Sequence, residues 1–284
     1  MFTNVLVGVD GRTNGRDAIA LAEQLAAPGA KLTLAHVRGG AAHPLQAATP
    51  VLLGEEAEFS EKLLADELER SGLQAETVSL VASTPGAGLH QQAEAQGADL
   101  LVVGSTSRGL LGRAMIGDDT RASLNGAPCA VAIADRGYQE QAGPLKKIGV
   151  AYNESPESRA ALELARELGG SSGAEVDALE VVSIPTYAFT GLVPPAFGET
   201  MDVMVAEGNA RMGALPGVKG RAVYGLAGEE LAAFGDGLDL LVVGSRSYGP
   251  VRRLVSGSTS DFLQRHARCS LLVLPRGAAP AGDE

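Results

Sequence analysis

Two glycines thirteen residues apart frame the segment of this chain best suited to bind an anion. The run Leu-Leu-Val-Val-Gly244 is followed by Ser-Arg-Ser247-Tyr-Gly-Pro-Val-Arg-Arg-Leu-Val-Ser and then by Gly257-Ser258-Thr259. Glycine lets backbone come close to a ligand, and a helix starting near Gly257 would offer free N–H groups to a phosphate. The hydroxyls of Ser258 and Thr259 suit a phosphate or a helix cap equally well. Earlier in the chain the same spacing recurs, with Gly104 at the end of a strand-like run and Gly117 thirteen residues later. There Gly117 is followed by Asp118 and Asp119. As an N-cap, the Asp118 carboxylate would take the N–H groups a phosphate needs. A carboxylate about 5 Å from a phosphate repels it by roughly 3 kcal/mol at an effective dielectric near 20, about a hundredfold in affinity. The first loop is therefore expected to be the weaker anion site.

The elements carrying these loops are duplicated. Residues 97–105 read Gly-Ala-Asp-Leu-Leu-Val-Val-Gly-Ser, and residues 237–245 repeat the phrase with one substitution. Leu-Leu-Val-Val has the composition of a strand buried on both faces, as in a parallel sheet. Around it the first copy predicts strands at 4–10, 31–37, 77–81, 100–103 and 130–134, with helices at 16–27, 55–71, 86–96 and near 119–124. The second predicts strands at 148–152, 176–182, 221–224, 238–243 and 271–274, with helices at 156–168, 197–212, 226–234 and 260–266. Ser155 is a candidate cap for the helix at 156–168. Strands alternating with helices imply right-handed crossovers. The expected fold is α/β, two tandem doubly wound domains, each a mostly parallel five-stranded sheet with helices on both faces. Domain one is expected at 1–135, a polar linker at 136–144, domain two at 145–276 and a tail at 277–284.

Composition narrows the function. The formal charge of −11 and a sequence pI near 4.9 speak against a nucleic-acid partner, which needs a basic surface. No apolar run approaches the length of a membrane span, and the first strand begins too early for a signal peptide, so a cytoplasmic location is expected. Cys129 and Cys269 are also 140 residues apart, each opening the last apolar run of its copy. They are read as buried small hydrophobes; a disulfide or a zinc site fits poorly. No P-loop, dinucleotide fingerprint, nucleophile elbow or metalloprotease helix is present. No catalytic residue is nominated.

The spacing Gly-x2-Ser-x9-Gly-Ser, the Asp10 ending strand one and the Pro128-Cys129 approach to strand five resemble the universal stress protein family. The resemblance runs through both copies. It implies the adenine nucleotide alpha hydrolase-like fold, ATP or another adenine nucleotide as ligand, with magnesium as a companion ion, and a regulatory role involving a protein partner of unknown identity. It departs from the family's Gly-x2-Gly-x9-Gly-Ser/Thr at Ser107 and Ser247, where glycine is usual. It also implies that the acidic residue after strand one contacts the nucleoside. That residue is Asp10 in copy one and aligns with Asn153 in copy two, which keeps hydrogen-bonding capacity without charge.

The expected nucleotide site is thus Asn153, Gly244, Ser247, Gly257, Ser258 and Thr259, with Asp10, Gly104 and Gly117 forming a weaker counterpart. Competing readings stand for each. Asp10 would equally cap a turn, the two strand-end glycines would serve the fold alone, and Arg246, Arg252 and Arg253 would neutralise phosphate or simply face solvent. A partner-binding module with degenerate loops is the alternative function, and a slow ATPase a third. Because the family pairs single units through their last strands, the two copies are expected to form an intrachain pseudo-dimer through 130–134 and 271–274; a homodimer of whole chains is a further possibility. The 183–195 loop, with Tyr187 and Phe189, is read as a variable loop, alternatively as a lid.

Overall fold

A computed structural model of the chain describes residues 1–39, 50–105, 125–141, 143–183, 197–245, 254 and 257–276. The expected duplication is realised as one continuous ten-stranded sheet. In the first copy β1 (Phe2–Gly8), β2 (Ala26–Gly39), β3 (Glu76–Ala82), β4 (Leu100–Gly104) and β5 (Ala130–Ala134) alternate with α1 (Thr13–Leu25), α2 (Pro50–Ser71) and α3 (Pro85–Gln96). In the second, β6 (Lys147–Ala151), β7 (Glu175–Ser183), β8 (Lys219–Gly225), β9 (Leu240–Gly244) and β10 (Ser270–Leu274) alternate with α4 (Pro156–Ser172), α5 (Phe197–Gly213), α6 (Ala227–Phe234) and α7 (Ser258–His266). The strand order is β3-β2-β1-β4-β5-β10-β9-β6-β7-β8. Every pairing is parallel except the central one between β5 and β10, where Leu271, Leu272 and Val273 face Ile133, Ala132 and Val131. Each half therefore has the doubly wound order, and the last strands join the halves as expected.

Local chemistry accounts for the element ends. Thr84 Oγ1 accepts the Ala87 N–H and Ser155 Oγ the Ser158 N–H, with Pro85 and Pro156 next in line where a missing N–H costs nothing. Gly97 and Gly173 close α3 and α4 with φ of 64° and 78°. The aspartate of the repeated phrase has a structural use in both copies. Asp99 accepts the Thr3 and Asn4 N–H groups, and Asp239 those of Lys146 and Lys147, so each pins the start of its copy's first strand.

Strand β2 is longer than the apolar run at 31–37 suggested. It leaves α1 directly, and its register against β1 shifts between Phe2 and Asn4. Most other helix and strand ends lie within a few residues of expectation; α2, starting at Pro50, and α4, ending at Ser172, run further. The 119–124 helix lies outside the described residues, as does most of the 183–195 loop.

Both faces of the sheet are sealed by apolar clusters that run through both halves. One gathers Val5, Leu21 and Leu100 with Ile148, Leu168 and Leu272; the other gathers Leu89, Leu101 and Ile133 with Leu241, Leu263 and Val273. The halves thus share their cores instead of merely touching. Cys129 and Cys269 are buried, free thiols in the second cluster, and burial pushes both up to about 12. They behave as the small hydrophobes the sequence suggested. Among the described residues no helix is long and apolar enough to cross a membrane.

Candidate functional site

In the second half the strand exits converge on a cavity of about 440 Å3. Its position follows from topology. β6 and β9 are neighbours whose connections leave in opposite directions, so their carboxyl ends open a crevice of the kind that binds ligands in doubly wound sheets. Leu179 and Val181 from β7, Val243 from β9 and Leu231 from α6 form an apolar floor. Asn153, Ser155, Ser158, Ser245, Thr259 and Ser260 supply the polar rim. An apolar floor with a few convergent polar groups is the usual construction of a small-molecule site. None of the described lining residues carries a charge.

The polar rim is built from two helix starts. At α4, Asn153 Oδ1 accepts the Ser155 N–H at 3.2 Å, while Ser158 Oγ accepts the Asn153 N–H and donates to the Ser155 carbonyl. At α7, Gly257 is the N-cap, and its N–H donates to Ser260 Oγ at 2.9 Å. The Gly257 carbonyl already accepts the Asp261 N–H. Helix geometry leaves the first-turn N–H groups of Thr259 and Ser260 without an intrahelical acceptor, at the positive end of the helix dipole. One hydroxyl stands apart. Ser245 is 6 % exposed, lines the cavity, and its Oγ has no hydrogen-bond partner among the described residues. A buried hydroxyl left unmatched costs free energy that a ligand's polar group would recover.

Four of the expected residues therefore meet at this cavity: Asn153, Gly244, Gly257 and Thr259. Ser258 is the first residue of α7, between the lining residues Gly257 and Thr259. Ser247 and Gly117 lie outside the described residues, as do Asp118 and the three arginines at 246, 252 and 253. Asp10 and Gly104 hold the matching place in the first half. Asp10 Oδ1 accepts the Arg12 N–H and Oδ2 the Asn14 side-chain amide, so this carboxylate does organise a turn. Asn153 makes the corresponding bond to Ser155, and the copies share that turn.

The strand-end glycines also have a structural explanation. A Cβ on Gly104 would run into the Asn14 carbonyl, and one on Gly244 into Glu157. Neither glycine has positive φ; close packing of the following helix, and not conformational freedom, demands them. Sequence reasoning missed Ser158, Ser245 and Ser260 as rim residues and the apolar floor. Ser245 stood in the repeated phrase, but nothing local signalled that its hydroxyl would be buried without a partner.

The universal stress protein family model matches residues 1–135 and again 144–275. The chain belongs to the universal stress protein family. A curated relative, a universal stress protein in the QAH/OAS sulfhydrylase 3' region of Thermus aquaticus, is 30% identical over 141 residues, which is 46% of this chain and 97% of that protein. A solved universal stress protein from Archaeoglobus fulgidus superposes with a TM-score of 0.69 and 18% identity, covering 96% of this chain and 98% of its own. One described as a putative universal stress protein from Pseudomonas aeruginosa gives a TM-score of 0.62 at 18% identity, covering 96% and 93%. At that identity these structures establish the shared fold.

Proposed function

We propose that this tandem universal stress protein binds an adenine nucleotide, ATP foremost, in its second half, and that occupancy serves regulation and not turnover. The observation that carries the reading is the cavity itself. An apolar floor suited to a base meets a hydroxyl rim and the N-terminus of α7, which is the place for phosphate. Asn153 is positioned to hydrogen-bond the nucleoside, and Ser245 Oγ to satisfy itself on the ligand. Among the described residues no group of three His, Cys, Asp or Glu side chains could hold a metal ion. Magnesium accompanying the nucleotide would then be carried on its phosphates. In the first half Gly117 is followed by Asp118 where the second half has Ser258, and that added carboxylate supports weaker binding there.

Titration calorimetry with ATP on the wild type and on Gly257→Asp tests this. Gly257 has φ −88° and ψ 170°, a conformation aspartate adopts readily and favours as an N-cap, so the fold should tolerate the change. The expected result is one site lost, with affinity reduced about a hundredfold by the added charge. Unchanged binding in the variant would remove the second half as the site. Adenine nucleotide detected by mass spectrometry in gently purified protein would support the reading independently.

A further inference from the structure

The glycine segment of the second half is anchored by the first half. Leu254, three positions before Gly257, donates its N–H to the Ala127 carbonyl at 2.9 Å and accepts the Gly126 N–H at 2.9 Å. Two hydrogen bonds thus bridge the halves beyond the β5–β10 pairing itself, joining the residues just before β5 to the segment that leads into α7. The Leu254 side chain is fully buried. It belongs to the cluster that contains Ala127 of the first half, α7 residue Leu263, and the cavity-floor residues Leu231 and Val243. Gly126 sits at φ +88°, a conformation that L side chains resist, so the bridge requires glycine there. From Leu254 to the N-cap of α7 the chain spans only three steps, about 10 Å at full extension. Where Leu254 docks therefore limits where the N–H groups of Thr259 and Ser260 can be. Gly126 and Ala127 line no part of the cavity.

Resting on the nucleotide reading above, we propose that the Gly126–Ala127 segment of the first half is a positioning element of the second half's site, so that nucleotide binding and docking of Leu254 on the first half are coupled. Coupling of this kind is reciprocal. A nucleotide that requires the docked arrangement holds the bridge shut, and a first half that distorts residues 126–127 weakens the nucleotide. This gives the duplicated chain a use for its first half that does not require ligand there: it sets the affinity of the second.

The test uses the full chain. Gly126→Ala strains the bridge without touching the cavity, and Gly72→Ala is the control. Gly72 has φ +68° and open space around it in the first half, so it carries similar backbone strain elsewhere. ATP titration should show affinity reduced roughly five- to thirtyfold in Gly126→Ala, the range that a left-handed alanine penalty borne by the bound state supplies. Gly72→Ala should lower the melting temperature comparably and leave affinity alone, which separates positioning from loss of stability. In the wild type, saturating ATP should slow hydrogen exchange of the Gly126 N–H more than that of the Val9 N–H, which bonds to Ala35 inside the first half. Equal affinities in wild type and Gly126→Ala, or equal slowing at Gly126 and Val9, would overturn the coupling while sparing the nucleotide site. Absence of ATP binding in the wild type would overturn both.

Discussion

Gly244 brings the end of β9 so close to α4 that a Cβ on it would lie 2.6 Å from the Cβ of Glu157. Gly104 meets Asn14 of α1 in the same way. Real side chains essentially never approach so closely, so alanine at either position must push a helix away from the sheet. Overpacking of this kind costs about 1–3 kcal/mol. Gly104→Ala should therefore lower the melting temperature by several degrees, roughly 2–4 °C per kcal/mol for a chain of this size. Its ATP affinity should remain that of the wild type, because Gly104 lines no part of the cavity and pairs with Ala134, at the end of β5 away from residues 126–127. A melting curve unchanged by Gly104→Ala would refute the packing explanation of the repeated glycine.

Ser245 makes a prediction of opposite sign for stability and binding. Its hydroxyl is buried and unmatched, so Ser245→Ala removes a desolvated polar group and leaves only a small void. The ligand-free variant should be as stable as the wild type or up to about 1 kcal/mol more stable. Its nucleotide affinity should fall about fivefold, the worth of one neutral hydrogen bond. Thermal melting with and without ATP checks both. A variant that loses stability and keeps its affinity would show that Ser245 serves the fold alone.

The sequence made the strands legible because burial on both faces leaves no choice of residue: Leu-Leu-Val-Val could hardly be anything but a central strand. It made the turn at Asp10 and the cap at Ser155 legible because those bonds are made within two or three residues. Contacts between distant segments left no trace. Asp17, in the middle of α1 and 1 % exposed, accepts the N–H groups of Gly137 and Gln139 and so ties the linker down. Nothing in the neighbouring sequence of Asp17 marks this contact. Nothing local marks Leu254 either, because its partners Gly126 and Ala127 lie in the other half, brought near by the pairing of β5 with β10. The spacing that ends at Gly257 could be read; the contact of Leu254 with the other half could not.

Asn153 and Ser155 separate turn formation from recognition. Asn153→Ala removes the acceptor for the Ser155 N–H and should cost about 1 kcal/mol of stability along with several-fold in ATP affinity. Asn153→Asp restores the residue type found at Asp10, whose oxygen makes the same kind of bond to Arg12. It should keep the melting temperature close to that of the wild type and keep most of the affinity. Ser155→Ala, which loses the cap on Ser158, should cost about 1 kcal/mol. If Asn153→Asp and Asn153→Ala bind ATP equally poorly, the amide nitrogen and not the oxygen makes the nucleoside contact.

The junction between the halves should respond to pH through Asp135. This residue ends the first copy, and its N–H donates to Ser270 Oγ of β10 at 3.2 Å, across the pairing of the last strands. Burial raises its carboxyl above its ordinary value; the Arg136 backbone N–H opposes this and the nearby Asp17 charge adds to it. The folded state therefore favours the protonated form more than the unfolded chain does. Stability from that preference is fully present below the unfolded value near 4 and is lost as pH rises through the raised folded value. Asp135→Asn, which cannot ionise, should accordingly be more stable than the wild type at pH 7 to 8. The gap should close as the pH is lowered toward about 4, because the wild type then regains what ionisation had cost it. Denaturant melts of both proteins across that range measure the difference directly. A difference independent of pH would mean that the Asp135 charge is fully compensated by the backbone around it.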